Sequence, residues 1–217
     1  MGQRFRDRHE AGRQLATALR AYAGRPDVLV LALPRGGVPV GYEVARALDA
    51  PLDVMQVRKL GVPGHEELAM GAIASGGVRI VSQDVVELLQ IPDRVIATVA
   101  AAEERELDRR ERMYRQGRPF PDVHGRTVIL VDDGLATGST MRAAAAALRA
   151  EGAGRIVAAV PVAPQETCDA LGDMVDEVVC AITPQPFRAV GEWYDDFTQI
   201  GDDEVRDLLS QSAAARE

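Results

Sequence analysis

Short unbroken apolar runs alternate with segments of helical spacing along most of the chain. Leu15, Leu19 and Tyr22 recur three to four residues apart, which predicts a helix over about 8–23 that Gly24 and Pro26 end. Val28 to Leu33 is apolar throughout, the pattern of a strand buried on both faces. A helix over 38–48 and a second strand over 52–57 follow. Beyond them the pattern predicts a short helix capped by Ser82, a long one from Pro92 to about Tyr114, and a strand over 127–131. Next come a helix over 139–150, a strand over 156–160, a helix over 165–171 and a strand over 175–180. Glutamate and arginine three or four apart along the long helix read as a solvated face. Between 59 and 77 glycine and charge displace the regular pattern. That region reads as a flexible exposed loop followed by a short hairpin around Ser75-Gly76-Gly77.

Strands alternating with helices predict an α/β fold, a parallel sheet of about five strands with helices on both faces. The rhythm breaks at Thr183, where prolines and aromatics precede a short acidic helix from about Asp202. The expected organisation is a core over 1–182 and a small C-terminal hood over 183–217. At 217 residues, one domain with an appendage fits better than two independent domains.

A chain that is 47% hydrophobic and 27% charged can bury a core without disulfides. Its 25 basic and 33 acidic residues leave a net charge of −8. Such a surface attracts no polyanion generally, so neither nucleic acid nor a membrane is expected as partner. Any bound anion must be caught locally, by backbone dipoles and a few cations. Cys168 and Cys180 lack metal-ligand spacing and read as reduced thiols. No apolar run approaches the roughly 20 residues of a membrane span. The charged N-terminus lacks a secretory pattern, and Met1-Gly2 lacks the lipidation context because Arg6 stands where Ser or Thr is wanted. A cytoplasmic location is the expectation.

The informative stretch runs from Val128 through Asp132-Asp133-Gly134-Leu135-Ala136-Thr137-Gly138-Ser139-Thr140. A buried strand ends in two acids, then a turn of small residues opens a helix. Such a turn presents successive backbone N–H groups beside the positive end of a helix dipole, a socket for a phosphate monoester. Gly138 permits the backbone geometry, while Thr137, Ser139 and Thr140 add hydroxyl donors. Asp132 and Asp133 stand at the strand's carboxyl end, where open α/β sheets bind ligands, and carboxylates there accept from sugar hydroxyls. Phosphate on the turn and ribose on the acids describe a sugar phosphate. The Thr-Gly-Ser-Thr part alone fits an ordinary helix N-cap equally well. No Lys follows Gly138 as in a Walker A loop, and no G-x-G-x-x-G dinucleotide fingerprint occurs.

This string resembles the phosphoribosyl-pyrophosphate signature of the type I phosphoribosyltransferases. The resemblance implies that Asp132 and Asp133 bind the ribose hydroxyls and that Ala136 through Thr140 bind the 5′-phosphate. The order is most similar to the loop of adenine phosphoribosyltransferases. Hypoxanthine-guanine enzymes carry an aspartate where this chain has Ala136, so their 6-oxopurine chemistry does not carry over directly.

Leu33-Pro34-Arg35-Gly36-Gly37 ends the first strand. Its two glycines allow close backbone approach to a ligand, and Arg35 offers charge-assisted hydrogen bonds to an anion. The position resembles the family's pyrophosphate loop, which implies a cis peptide bond between Pro34 and Arg35. Arg58 and Lys59 follow the second strand and form a cation pair suited to a diphosphate, Lys59 more than Arg58. The stretch from Gly61 to Leu68 resembles the family's closing loop, in which His65, Glu66 and Glu67 lie. Four of the chain's nine aromatics fall between Phe187 and Phe197, a surface on which a planar heterocycle stacks. That segment resembles the base-binding hood of hypoxanthine-guanine enzymes, which implies that Phe187 stacks, that Trp193 lies nearby and that Asp195 reads an exocyclic amine. Packing of Trp193 and Phe197 onto the sheet is the other reading of these aromatics.

The resemblance implies Mg²⁺-dependent transfer of a phosphoribosyl group from phosphoribosyl pyrophosphate to a nitrogenous base, and, by analogy with the family, a homodimer. The ion is held through substrate oxygens and water, with Asp132 and Asp133 as protein ligands. Two other readings stay open. One is a non-catalytic regulatory protein that binds phosphoribosyl pyrophosphate or a nucleotide, and the other is a hydrolase using the same pocket.

Overall fold

The structure, a computed structural model, describes residues 4–216. The Met1-Gly2 start lies outside the described residues. Five parallel strands form the main sheet: β1 (Val28–Ala32), β2 (Leu52–Val54), β6 (Thr127–Val131), β7 (Arg155–Val162) and β8 (Glu177–Ile182), in the order β2-β1-β6-β7-β8. β1 and β6 run side by side in register from Val28 beside Thr127 to Ala32 beside Val131. Every residue of these two strands is buried, as their unbroken apolar runs require.

Alternation along the strands divides the core between two faces. Val28, Val30, Ile129, Val131, Val157 and Ala159 meet α1 (Arg8–Ala18) and α2 (Gly37–Leu48) on one face. Leu29, Leu31, Val128, Leu130, Ile156 and Ala158 meet α5 (Ser139–Ala150) and α6 (Gln165–Leu171) on the other. Asp7 caps α1 by accepting the Glu10 N–H at 2.7 Å, which places Arg8 at the first helical position.

The region read as an exposed loop is folded. β3 (Val57–Val62), β4 (His65–Ala74) and β5 (Arg79–Val81) form a separate antiparallel sheet in the order β3-β4-β5, with Gly64 in the left-handed region at the first turn. Leu60, Val62, Met70 and Ile73 bury one face of it against Ile96, Ala100 and Leu107 of α4 (Asp93–Arg115). Their neighbours along the strands are mostly glycine, alanine and proline, with Lys59, and that mixture imitates a loop in sequence. The short α3 (Gln83–Leu88) completes this unit.

Helix α4 also departs from a purely solvated reading at its end. Arg115 is 1% exposed, with Asp53 Oδ1 accepting from its Nε at 3.0 Å, the Val54 carbonyl accepting from Nη2 at 2.5 Å, and the Phe120 ring 4.8 Å away. A buried guanidinium is tolerable only when so paired. The two cysteines differ from expectation as well. Cys168 on α6 and Cys180 on β8 stand 7.2 Å apart between Cα atoms and are joined as a disulfide, not held as two separate thiols.

Past Thr183 the chain crosses the carboxyl edge of the sheet through a short 3₁₀ turn (Val190–Trp193). It then turns into α7 (Asp202–Ala214), whose Val205, Leu208 and Leu209 pack against Val38, Val54 and Tyr114. Phe5 pairs with Tyr194 in an isolated parallel bridge, so the segment before α1 meets the chain past Thr183 over this edge.

Candidate functional site

β6 delivers Asp132 and Asp133 to the carboxyl edge of the main sheet. Asp132 Oδ1 accepts the backbone N–H of Asp133 at 2.8 Å. Asp133 Oδ2 accepts from Arg8 Nε at 2.8 Å, and Tyr194 Oη donates to the Asp133 carbonyl at 2.5 Å. No described residue donates to Asp132 Oδ2 or Asp133 Oδ1. Each carboxylate is therefore pinned by one oxygen and open at the other. Burial raises the pKa of both acids. For Asp132 the neighbouring charge of Asp133 adds to that rise, whereas for Asp133 the Arg8 guanidinium opposes it. Burial likewise pushes the Tyr194 hydroxyl up, keeping it a donor.

The turn that follows is held from behind. Leu135 donates its N–H to the Val162 carbonyl at 3.0 Å, and Thr167 Oγ1 donates to the Ala136 carbonyl at 2.8 Å. The N–H groups of Ala136, Thr137 and Gly138 donate to no described residue, and Ser139 N–H reaches only Thr137 Oγ1 at 3.5 Å. Gly138 has φ 71° and caps α5, so the open amides stand at that helix's positive end. Ala136, Thr137, Ser139 and Thr140 are exposed, while Gly138 is buried beneath them. This is a cradle of free donors, with two carboxylate acceptors at its start.

The turn after β1 closes on the same acids. The peptide bond between Pro34 and Arg35 is cis, as expected. A Cβ on Gly36 would overlap Asp133 Oδ2, and one on Gly37 would stand 2.7 Å from the Val131 carbonyl and 3.0 Å from Asp132 Cα. Both glycines are needed because the two motifs share one space. Arg35 itself reaches outward, 4.0 Å from Asp202 at the start of α7.

The remaining cations sit differently. Arg58 is paired with Glu103 of α4 at 2.6 Å, and Lys59 is exposed without an acidic partner among the described residues. They line a groove of about 600 Å³ between β3, the β3–β4 turn and α4, with Glu66, Thr98 and Glu103. Neither Asp132, Asp133 nor Arg35 lines that groove.

Phe187 and Trp193 pack in one cluster with Phe5, Val162, Val190 and Tyr194. The Trp193 indole N–H is buried without a partner among the described residues. Asp195 is exposed, and its side chain pairs with no described residue. Phe187 also lines a cleft of about 550 Å³ with Pro164, Gln165, Glu166 and Gln185. Thr167, two residues beyond Gln165, grips the turn after the paired acids through the Ala136 carbonyl.

Three residues of the site escape a reading of local pattern: Arg8, Tyr194 and Thr167. Arg8 lies in a charged run, and its partners stand 125 and 190 residues away. The one local signal is Asp7, the cap that starts α1 and aims Arg8 back toward the site.

A Mycobacterium tuberculosis protein provisionally named a phosphoribosyl transferase is 48% identical over 208 residues, covering 96% of this chain and 47% of its own length. This chain thus spans about half the length of the curated relatives it matches. A ribose-phosphate pyrophosphokinase of Methanopyrus kandleri is 63% identical over 38 residues, covering 18% of this chain and 13% of that one. Among solved structures, TT1426 from Thermus thermophilus superposes with a TM-score of 0.85 at 43% identity, covering 96% of this chain and 99% of that one. The model of the phosphoribosyl transferase domain matches residues 6–190, a span that takes in both glycine turns, the paired acids and Arg8. By that match the chain belongs to the phosphoribosyl transferase domain family.

Proposed function

We propose that the protein transfers the 5-phosphoribosyl group of phosphoribosyl pyrophosphate to a nitrogenous base and releases diphosphate. One observation carries this reading: two adjacent carboxylates, each with one open oxygen, lead into a turn whose amides have no internal acceptor. Two acceptors suit the vicinal hydroxyls of a pentose, and free amides at a helix start suit its 5′-phosphate.

Diphosphate departs readily once its charge is balanced, so positioning and electrostatics dominate. Asp132 and Asp133 orient the ribose, and residues 136–140 anchor the 5′-phosphate, which aims C1 at the acceptor. Arg35, the backbone of Gly36 and Gly37, and Lys59 receive the departing diphosphate. Arg58 joins them only on leaving Glu103. The open oxygens of Asp132 and Asp133 are hard donors suited to Mg²⁺ together with substrate oxygens and water, and the ion neutralises diphosphate charge when bound. The cleft beside Phe187, Gln165, Glu166 and Gln185 is the acceptor site, with an aromatic wall for stacking and amide and carboxylate groups for exocyclic nitrogens. Trp193 supports that wall, and the exposed Asp195 is the acceptor for an exocyclic amine.

Diphosphate release, measured over a panel of purines, pyrimidines and small amines, tests the reading. Release only with an acceptor is the expected result. Release without acceptor identifies a hydrolase, and tight binding without release identifies a regulatory protein.

A further inference from the structure

Arg8 lies far in sequence from the paired acids, yet its side chain is 8% exposed and meets Asp133, the first glycine turn and the segment 194–198. Nε donates to Asp133 Oδ2 at 2.8 Å, and Nη1 donates to the Thr198 carbonyl at 2.8 Å. The guanidinium lies 3.9 Å from the Phe197 ring centroid and 5.9 Å from that of Tyr194. A Cβ on Gly36 would stand 3.3 Å from its Nε, so the first glycine turn abuts it too. We propose that Arg8 is a positioning residue of the pentose site, holding Asp133 by one oxygen and coupling that grip to the segment 194–198 above it.

This inference rests on Asp132 and Asp133 being the pentose-binding pair. A substrate with three phosphoryl groups must approach two adjacent carboxylates, and like charges at that range repel. Arg8 compensates one of them in place, where water is largely excluded and the compensation is strong. Its planar fork also fixes orientation. With Oδ2 held by Nε, Asp133 keeps Oδ1 free of any donor among the described residues, as Asp132 keeps its Oδ2. A lysine reproduces the charge but not the fork, so it cannot serve Asp133 and the Thr198 carbonyl from one rigid plane. The apolar side of α1, from Leu15 to Leu19, packs on the sheet independently of this contact.

Titration calorimetry with phosphoribosyl pyrophosphate and Mg²⁺, run well below the melting temperature, tests the assignment. Arg8→Met is expected to weaken binding about tenfold or more, the loss of one charge-assisted contact, with Arg8→Lys intermediate. Leu15→Val, which loosens the same helix without touching Asp133, is expected to bind as the parent does. A crystal structure of Arg8→Met is expected to show the Asp133 carboxylate turned from its present orientation. Parental affinity in Arg8→Met, an equal loss in Leu15→Val, or an unmoved Asp133 would each overturn the proposal. Failure of the parent protein to bind phosphoribosyl pyrophosphate overturns the functional reading instead, and the crystal structure still decides the role of Arg8.

Discussion

The two halves of the proposed site, a pentose side and a diphosphate side, are built to different standards. On the pentose side, Asp132, Asp133 and the 134–138 turn are held by Arg8, Tyr194, Thr167 and the Val162 carbonyl, leaving open the atoms a sugar phosphate needs. On the diphosphate side, Arg35 faces Asp202, Arg58 is paired with Glu103, and Lys59 stands exposed on a separate sheet. In that reading one half is preorganised, while in the other Arg35 and Arg58 must exchange internal partners for substrate. That division matches the chemistry proposed, because the phosphoribosyl group stays bound through the reaction while diphosphate has to leave.

The largest expected effect breaks the preorganised half outright. Asp132→Asn with Asp133→Asn removes both charges while keeping shape, and should abolish acceptor-dependent diphosphate release while far-ultraviolet circular dichroism stays parental. Gly37→Ala follows, since its Cβ would crowd the Val131 carbonyl and Asp132 Cα. It should cost about 1–3 kcal/mol in denaturant unfolding and at least tenfold in affinity for phosphoribosyl pyrophosphate.

Smaller effects sharpen the other half. Lys59→Ala should raise the KM for phosphoribosyl pyrophosphate about tenfold, as expected for loss of one charged hydrogen bond. Glu103→Gln releases Arg58 and should lower that KM a few-fold, roughly the worth of a partly exposed ion pair. Steady-state kinetics on the two variants separates a cation already in use from one held in reserve.

The smallest effect is on stability. Burial holds the carboxyls of Asp132 and Asp133 above the usual range in the folded chain. The folded state then keeps protons that the unfolded chain has lost, so stability falls as pH rises past the ordinary carboxylate value. Asp132→Asn removes that penalty. In metal-free buffer its melting temperature at neutral pH should exceed the parent's by roughly 2–4 °C, the response to about 1 kcal/mol, and the gap should close below about pH 4.

Elements whose physics is local were legible in the sequence. The run Thr127–Val131 and the helices at 139–150 and 165–171 lie where apolar pattern and capping put them. The paired acids and the small turn were legible for the same reason, since a strand, a turn and a helix start are contiguous. The hairpin at Ser75-Gly76-Gly77 was legible and joins β4 to β5, but the β3–β4 pair was hidden because glycine, alanine and proline interrupt the apolar pattern around Leu60, Val62 and Met70. Arg8 and Arg115 were hidden for another reason. A charged side chain carries no mark of burial until distant segments supply its partners, as Asp133 and Asp53 do here.

The span of the Arg8 contacts has a kinetic corollary. During synthesis α1 leaves the ribosome ahead of its partners: Asp133 arrives 125 residues after Arg8 and Thr198 arrives 190 residues after it. The lower frame of the sheet can zip up from neighbouring strands as they emerge, but the roof over the paired acids closes only once Thr198 is available. A nascent chain stalled before Thr198 should therefore carry a finished scaffold and an unfinished binding pocket.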